Sequence, residues 1–246
     1  MIKIPEEINL ENYTLILPSV AVGNVGQLCT DLLISNLNLN KVGSMWNPVF
    51  LPICGLDPYN KNCQSLCTAA DFYLETYHKI IVLHLRAPHI GPLNDFFDKI
   101  TQFIKQKKIS KVIILSSSYD YECADKSDSS LRYLTTDNSL LNNEKFLESL
   151  TWKRHVKKTS TESAKQYYIP GGGFANGFYD YLKSIGIPCT VLFCYCSEGD
   201  NIPDALILFK GLNQWLNLLK ENTDYGIKYP PSWEYLFGNP PSLEIY

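Results

Sequence analysis

Three acids, Glu198, Asp200 and Asp204, fall within seven residues in the stretch Ser197-Glu198-Gly199-Asp200-Asn201-Ile202-Pro203-Asp204-Ala205. Carboxylates at such spacing could act as paired general acid and base, or supply the oxygen ligands that a hard cation prefers. The same residues also suit the entrance of a helix. Acids there complement the positive end of the helix dipole, Asn201 is placed to cap, and Pro203 fits the first turn. No base or metal-binding cluster accompanies the acids, so the helix-entrance reading is the stronger one. Ser116, Ser117 and Ser118 close an apolar run, the position from which an open α/β sheet presents its active-site groups. No GxSxG elbow surrounds them. Of the four histidines, His84 lies within a strand-like run, His78 sits at its edge, and His89 and His155 are poor loop-borne candidates for a base. These hydroxyls are therefore expected to hold a strand-to-loop turn.

Two glycine-containing corners could receive an anion. Val22-Gly23-Asn24-Val25-Gly26-Gln27 joins an apolar run to a helical pattern, where backbone N–H groups could point at phosphate. Its spacing is GxxG instead of GxGxxG, and no Asp or Glu occurs between Leu32 and Gly55 to hold a ribose hydroxyl. A tight turn at Gly23 and close helix packing at Gly26, flanked by Asn24 and Gln27, is the expected role. Gly171, Gly172 and Gly173 leave two uses open, an anion nest ahead of a helix near Phe174 or the close approach of another chain's backbone. A nucleoside- or nucleotide-binding enzyme built on the Gly23, Gly26 and Gly171 to Gly173 loops is the rival functional reading. The eight cysteines (Cys29, Cys54, Cys63, Cys67, Cys123, Cys189, Cys194 and Cys196) contain no CxxC pair. Cys194 and Cys196 would share one side of a strand without a nearby His, so no metal site and no cofactor is expected, and reduced thiols fit an intracellular compartment.

The elements that must position these residues alternate. Strands are expected at 13–22, 49–53, 72–77, 80–85, 111–116, 166–169 and 190–196 from their β-branched and aromatic character. Helical spacing follows Gly23, with Val25, Leu28, Leu32, Leu33 and Leu37 on one side. Residues 92–107 and 203–220 show the same one-sided pattern. This predicts a single α/β domain over 1–246, with a mostly parallel sheet and helices on both faces. A stretch of Ser, Asp and Lys at about 119–165 predicts a flexible excursion with a short helix near 144–150, and a short tail is expected at 239–246.

With 246 residues and 45% hydrophobic content, the chain is long enough to bury a sizeable core. A net charge of −3 offers no basic footprint for nucleic acid. The opening residues lack the apolar core of a secretory signal, and no apolar run approaches the ~20 residues of a membrane helix, so no membrane partner is expected.

Several motifs together resemble the proteasome assembly chaperone 2 family. They are Pro18-Ser19-Val20-Ala21-Val22-Gly23-Asn24-Val25-Gly26-Gln27-Leu28, Val112-Ile113-Ile114-Leu115-Ser116-Ser117-Ser118, Ile169-Pro170-Gly171-Gly172-Gly173, the stretch 197–205, and Pro231-Ser232-Trp233 with Leu236-Phe237-Gly238 and Pro240-Pro241. The resemblance spans 13–241. It implies an α/β fold, no enzymatic activity, no cofactor, and a heterodimer with proteasome assembly chaperone 1. It further implies contact with proteasome α subunits, suppression of off-pathway α-ring dimers, and work in cytoplasm and nucleus. Members carry a C-terminal hydrophobic-Tyr-any motif for docking. Here Leu243, Ile245 and Tyr246 are its counterparts, displaced by one position because Tyr246 ends the sequence.

Overall fold

The computed structural model describes residues 1–123, 131–143, 146, 149–150, 152–155, 168–219 and 226–235. From the N-terminus come β1 (Ile2–Lys3), β2 (Thr14–Pro18), a 3-10 turn at Val22–Asn24, α1 (Val25–Leu37) and β3 (Asn40–Met45). A separate hairpin of β4 (Cys54–Leu56) and β5 (Leu66–Thr68) precedes β6 (Ala70–Glu75), β7 (Ile80–Leu85) and α2 (Asn94–Gln106). There follow β8 (Lys111–Tyr119), β9 (Leu131–Thr135), the single turn α3 (Asn138–Leu141), β10 (Lys153–Arg154), α4 (Ala175–Ser184), β11 (Cys189–Cys196) and α5 (Ile202–Leu216). A 3-10 turn at Pro231–Tyr235 closes the described chain.

The main sheet runs β1-β3-β6-β7-β2-β8-β11-β9-β10. Its centre, β7-β2-β8-β11, is parallel, with Thr14 level with both Ile80 and Lys111, and Cys189 level with Val112. These four strands are almost wholly apolar because helices cover both faces. Leu15, Leu17, Ile81, Val112, Ile114 and Val191 face α2 and α4, while Ile16, Val82, Ile113, Leu115 and Leu192 face α1 and α5. The period-2 alternation of a strand thus builds two cores from one sheet. Around this parallel centre the sheet becomes mixed: β6, β3 and β1 add antiparallel on one flank, and β9 adds antiparallel to β11 on the other. Both margins are two-residue strands, and β3 carries a bulge between Lys41 and Gly43.

Four local expectations need correction. Residues 49–53 form no strand, and Phe50 makes only an isolated bridge with His89. Pro48 and Pro52 lack the N–H groups that a ladder needs. The polar segment of β3 is a strand that its sequence pattern does not announce. Gly43 is required there because a Cβ would lie 2.2 Å from the Lys3 carbonyl. Within 119–165 the structure places β9, buried along its whole length against β11, where a flexible excursion is expected. The last long helix ends at Leu216, not near Lys220, because Asn217 takes the left-handed conformation and returns its N–H to Asn213. Half of the expected strand at 166–169 (the described Tyr168 and Ile169 form none), most of the helix at 144–150, and the whole tail at 239–246 with Leu243, Ile245 and Tyr246 lie outside the described residues.

Candidate functional site

The carboxyl ends of β2, β8 and β11 bring the glycine corners, the serine triplet and the acidic corner together. Sequence neighbours would not predict this; the parallel register does, since all three strands point the same way. Ser19 and Ser116 both donate to the Gly172 carbonyl, at 2.8 and 3.1 Å. Ser117 donates to the Val22 carbonyl and Ser118 to Pro170, the latter at 2.8 Å. The backbone N–H of Val22 donates to Gly171 at 2.9 Å. Each hydroxyl of the triplet is thus a buried donor tying the β8 end to one of the two glycine corners, as the turn-holding reading expects. A nucleophile needs a free hydroxyl beside a base, and the three hydroxyls of the triplet are instead spent on backbone carbonyls. His89 forms the bridge with Phe50, His78 pairs with Glu75, and a His155 ring nitrogen lies 3.0 Å from the Tyr168 carbonyl.

The glycines explain themselves by what they touch. Gly23 and Asn24 both hold positive φ, 66° and 52°, which turns the chain sharply into α1. A Cβ on Gly23 would meet the Asn201 side chain at 2.7 Å, one on Gly26 the Leu115 carbonyl at 2.5 Å, and one on Gly173 the Val20 carbonyl at 2.1 Å. Gly171, with φ 74°, sits against the Tyr119 ring. At Gly173 the closely approaching backbone is the chain's own, not that of another chain. These contacts leave no room for a side chain at Gly23, Gly26 or Gly173. Gln27 reaches across to donate to the Leu85 carbonyl at 3.1 Å, linking the corner to β7.

At the acidic corner Glu198, Asp200 and Pro203 are exposed, and Asp204 is half-buried. Burial raises the Asp204 carboxyl, with a smaller push from Asp200. The capping expectation for Asn201 is wrong: its amide donates to the Gly199 carbonyl at 3.1 Å, and the side chain is packed against Gly23. Asp200 takes over, accepting from the Ile202 N–H at 3.0 Å. Asp200→Ala should therefore lower stability by about 0.5–2 kcal/mol through loss of a helix-entrance bond, read from urea unfolding. Asn201→Ala should act differently, by emptying the contact with Gly23. Burial pushes Cys196 up to about 11, and lifts Cys29, Cys189 and Cys194 further, so these thiols stay protonated near neutral pH. Among the described residues, no group of three or more His, Cys, Asp or Glu could hold a metal ion. No helix among them is long and apolar enough to cross a membrane.

A second polar cluster escaped the sequence reading. Asp31 on α1 accepts from the Tyr59 hydroxyl at 2.6 Å, lies 3.0 Å from Nε2 of His84, and accepts from the Trp233 indole at 3.4 Å. Nδ1 of His84 lies 2.8 Å from the Thr30 hydroxyl. The order hydroxyl, imidazole, carboxylate is that of a hydrolytic triad. Thr30 is fully buried and His84 nearly so, which closes it to any substrate and makes it a cross-link between α1 and β7. Next to it Arg86 donates to Asp71 and Tyr73, and Lys41 pairs with Asp71 at 2.9 Å. The available signal was a lone acid on the apolar side of α1 and a His and Arg spaced by two around the end of an apolar strand. Their sequence separation hid the connection.

Fold and site together define a class: a single α/β domain with a parallel centre whose strand-end crevice is closed by its own backbone. The profile of the PAC2 family matches residues 15–221. Proteasome assembly chaperone 2 of Xenopus laevis is 38% identical over 94% of this chain and 94% of its own, and the human protein of that name is 36% identical over 96% of each. Among solved structures, Pyrococcus furiosus PbaA, an archaeal homolog of proteasome-assembly chaperone, superimposes with a TM-score of 0.65 at 20% identity, covering 91% of this chain and 88% of that one. The chain belongs to the PAC2 family.

Proposed function

We propose that this chain is a proteasome assembly chaperone subunit that pairs with proteasome assembly chaperone 1, holds α subunits in register and suppresses off-pathway α-ring dimers. The observation that carries the reading is the match, over 94–96% of the chain, to relatives named proteasome assembly chaperone 2. The closed strand-end crevice supports it, because a domain whose serines and glycines lock its own turns works through its surface instead of through reactive atoms. On this reading the protein acts in cytoplasm and nucleus, without a cofactor, and Leu243, Ile245 and Tyr246 assist docking on the α-ring.

Affinity purification of the tagged full chain, followed by mass spectrometry, tests the proposal. Recovery of the partner chaperone together with α subunits is expected, and Ser117→Ala should retain both. Absence of proteasome subunits and of the partner would overturn it. Deleting Ile245 and Tyr246 should weaken α-ring binding modestly and spare the heterodimer. A rise of several degrees in melting temperature with a common nucleotide at millimolar concentration would favour the enzyme reading instead.

A further inference from the structure

We infer that the end of the molecule formed by residues 46–69 and 87–90 is the surface that receives the second chain of the heterodimer; this rests on the pairing proposed above. Six large apolar side chains are exposed there: Trp46 (65%), Leu51, Ile53, Leu56 (69%), Leu66 (59%) and Ile90. Their placement at one end follows from topology. β3 finishes at Met45 where β6 begins, and Ala70 of β6 lies opposite Leu85, the last residue of β7. Residues 46–53 are then stitched to 87–90 by Leu51 N–H to Pro88, Ile90 N–H to Val49, and the Phe50 bridge to His89.

The hairpin extends this surface. Leu56 and Leu66 are directly paired, and Cys54 is paired with Thr68 two residues away, so all four share one side of the two-stranded ribbon. The intervening Cys67 is buried on the other side against Tyr73. Thr68 also lines a groove of about 180 Å³ together with Trp46, Phe50, Pro52 and Ile53. The ribbon's leucines and the groove therefore form one continuous face. The groove is smaller than the ~300–1,000 Å³ of a small-molecule site, and suits a single protruding apolar side chain of a protein.

Charge and extent say what kind of partner fits. Residues 46–69 contain two charged side chains, Asp57 and Lys61, in a protein that is 19% charged. Asp57 accepts from the Tyr59 N–H at 2.8 Å and from the Ser65 hydroxyl, Lys61 is paired with Glu234 of the C-terminal segment, and Lys41 from β3 donates to the Leu66 carbonyl at 2.6 Å. Depletion of charge with Trp, Leu and Ile left exposed is the composition of an interface core, not of a wetted surface. Residues 46–69 and 87–90 are together comparable to the ~20–30 residues that each partner of a standard specific interface contributes. The occupant is a protein chain presenting its own charge-poor apolar face, held without ion pairs and hence insensitive to salt. The hairpin is backed by the rest of the fold, since the Ser232 N–H donates to the Pro58 carbonyl at 3.2 Å. It is a ready-made ridge for that chain to close upon.

The test uses the full chain with the double substitution Trp46→Glu and Leu56→Glu, a second variant Leu66→Glu, and Tyr77→Glu as a control at the opposite end of β6 and β7. All four positions are exposed, so the circular dichroism and melting temperature of each isolated variant should match the wild type. Against the co-purified partner chaperone, the double variant is expected to lose at least about 100-fold in affinity, Leu66→Glu about 10-fold, and Tyr77→Glu less than 3-fold, with wild-type binding unchanged between 0.1 and 1 M salt. If the wild type pairs and the double variant pairs equally well, this face is refuted while the heterodimer stands. A wild type that never pairs with the partner chaperone refutes both. If the wild type forms dimers with itself that the double variant abolishes, the occupant is a second copy and the assignment is wrong.

Discussion

Gly173→Ala is expected to lower stability by about 4 kcal/mol or to leave too little folded protein to measure, an effect in the rare upper range for one methyl group. Gly173 holds φ at 58°, a region that costs an ordinary residue about 1–2 kcal/mol. The added carbon would also lie 2.1 Å from the Val20 carbonyl and 2.6 Å from the Ser19 hydroxyl. Neither neighbour has room to retreat. Ser19 is bonded to Gly172, and the Val22 N–H two residues past Val20 is bonded to Gly171, so moving them breaks the junction between the two corners. Gly186→Ala isolates the steric part. Its φ is 74°, yet nothing lies within 4 Å of the position its Cβ would take, so its loss should be about 1 kcal/mol. Equal losses for the two variants, measured by chemical unfolding, would show that the corner contact does not carry the effect.

Asp31→Ala should cost about 3–5 kcal/mol, because it strips a buried cluster of the carboxylate that His84, Tyr59 and Trp233 share as acceptor. The same cluster sets the response to acid. Burial holds the His84 ring below its ordinary 6.5, against the pull of Asp31. The folded chain thus refuses a proton that the unfolded chain accepts. The stability this contributes is complete above about pH 6.5 and is lost as pH falls toward the folded value. Burial would raise the Asp31 carboxyl, but the His84 ring, the Tyr59 hydroxyl and Arg86 outweigh it and hold it below 3.8. Its contribution is present above 3.8 and declines on further acidification. Both groups act in one direction. Unfolding free energy measured from pH 8 to pH 4 should fall from about pH 6.5 downward, and His84→Gln should flatten that first decline. A wild-type curve that stays level to pH 5 would contradict the neutral assignment of His84.

What the sequence made legible was the part ruled by continuous burial. β2, β7, β8 and β11 announce themselves because helices on both faces demand apolar residues at every position, and α2 because its phenylalanines and isoleucines repeat at helical spacing. The first glycine corner was readable as a tight turn with close packing, while Gly171 to Gly173 left two uses open. What these glycines pack against was not readable, since Gly173 meets Val20 from far along the chain. β3 was hidden because Asn40-Lys41-Val42-Gly43-Ser44-Met45 is mostly half-exposed and owes its strand form to β6. The pattern of β9 was masked by the polar residues around it. Asp31 gave no local sign of its role, because its partners come from β7, from the loop after the hairpin's first strand, and from Trp233. Asn201 misled for the opposite reason: a good capping residue was claimed by a contact with Gly23 that only the fold creates.

The margins of the sheet bear on how the molecule meets other chains. At one edge β1 offers two residues, and behind it β3 is broken by its bulge and marked by Lys41. At the other, β10 consists of Lys153 and Arg154 alone. Among the described residues, neither edge presents the long, flat row of unpaired backbone groups on which a stray strand could grow. A wrong encounter at either margin therefore has nothing to template, and it ends with the two molecules that made it.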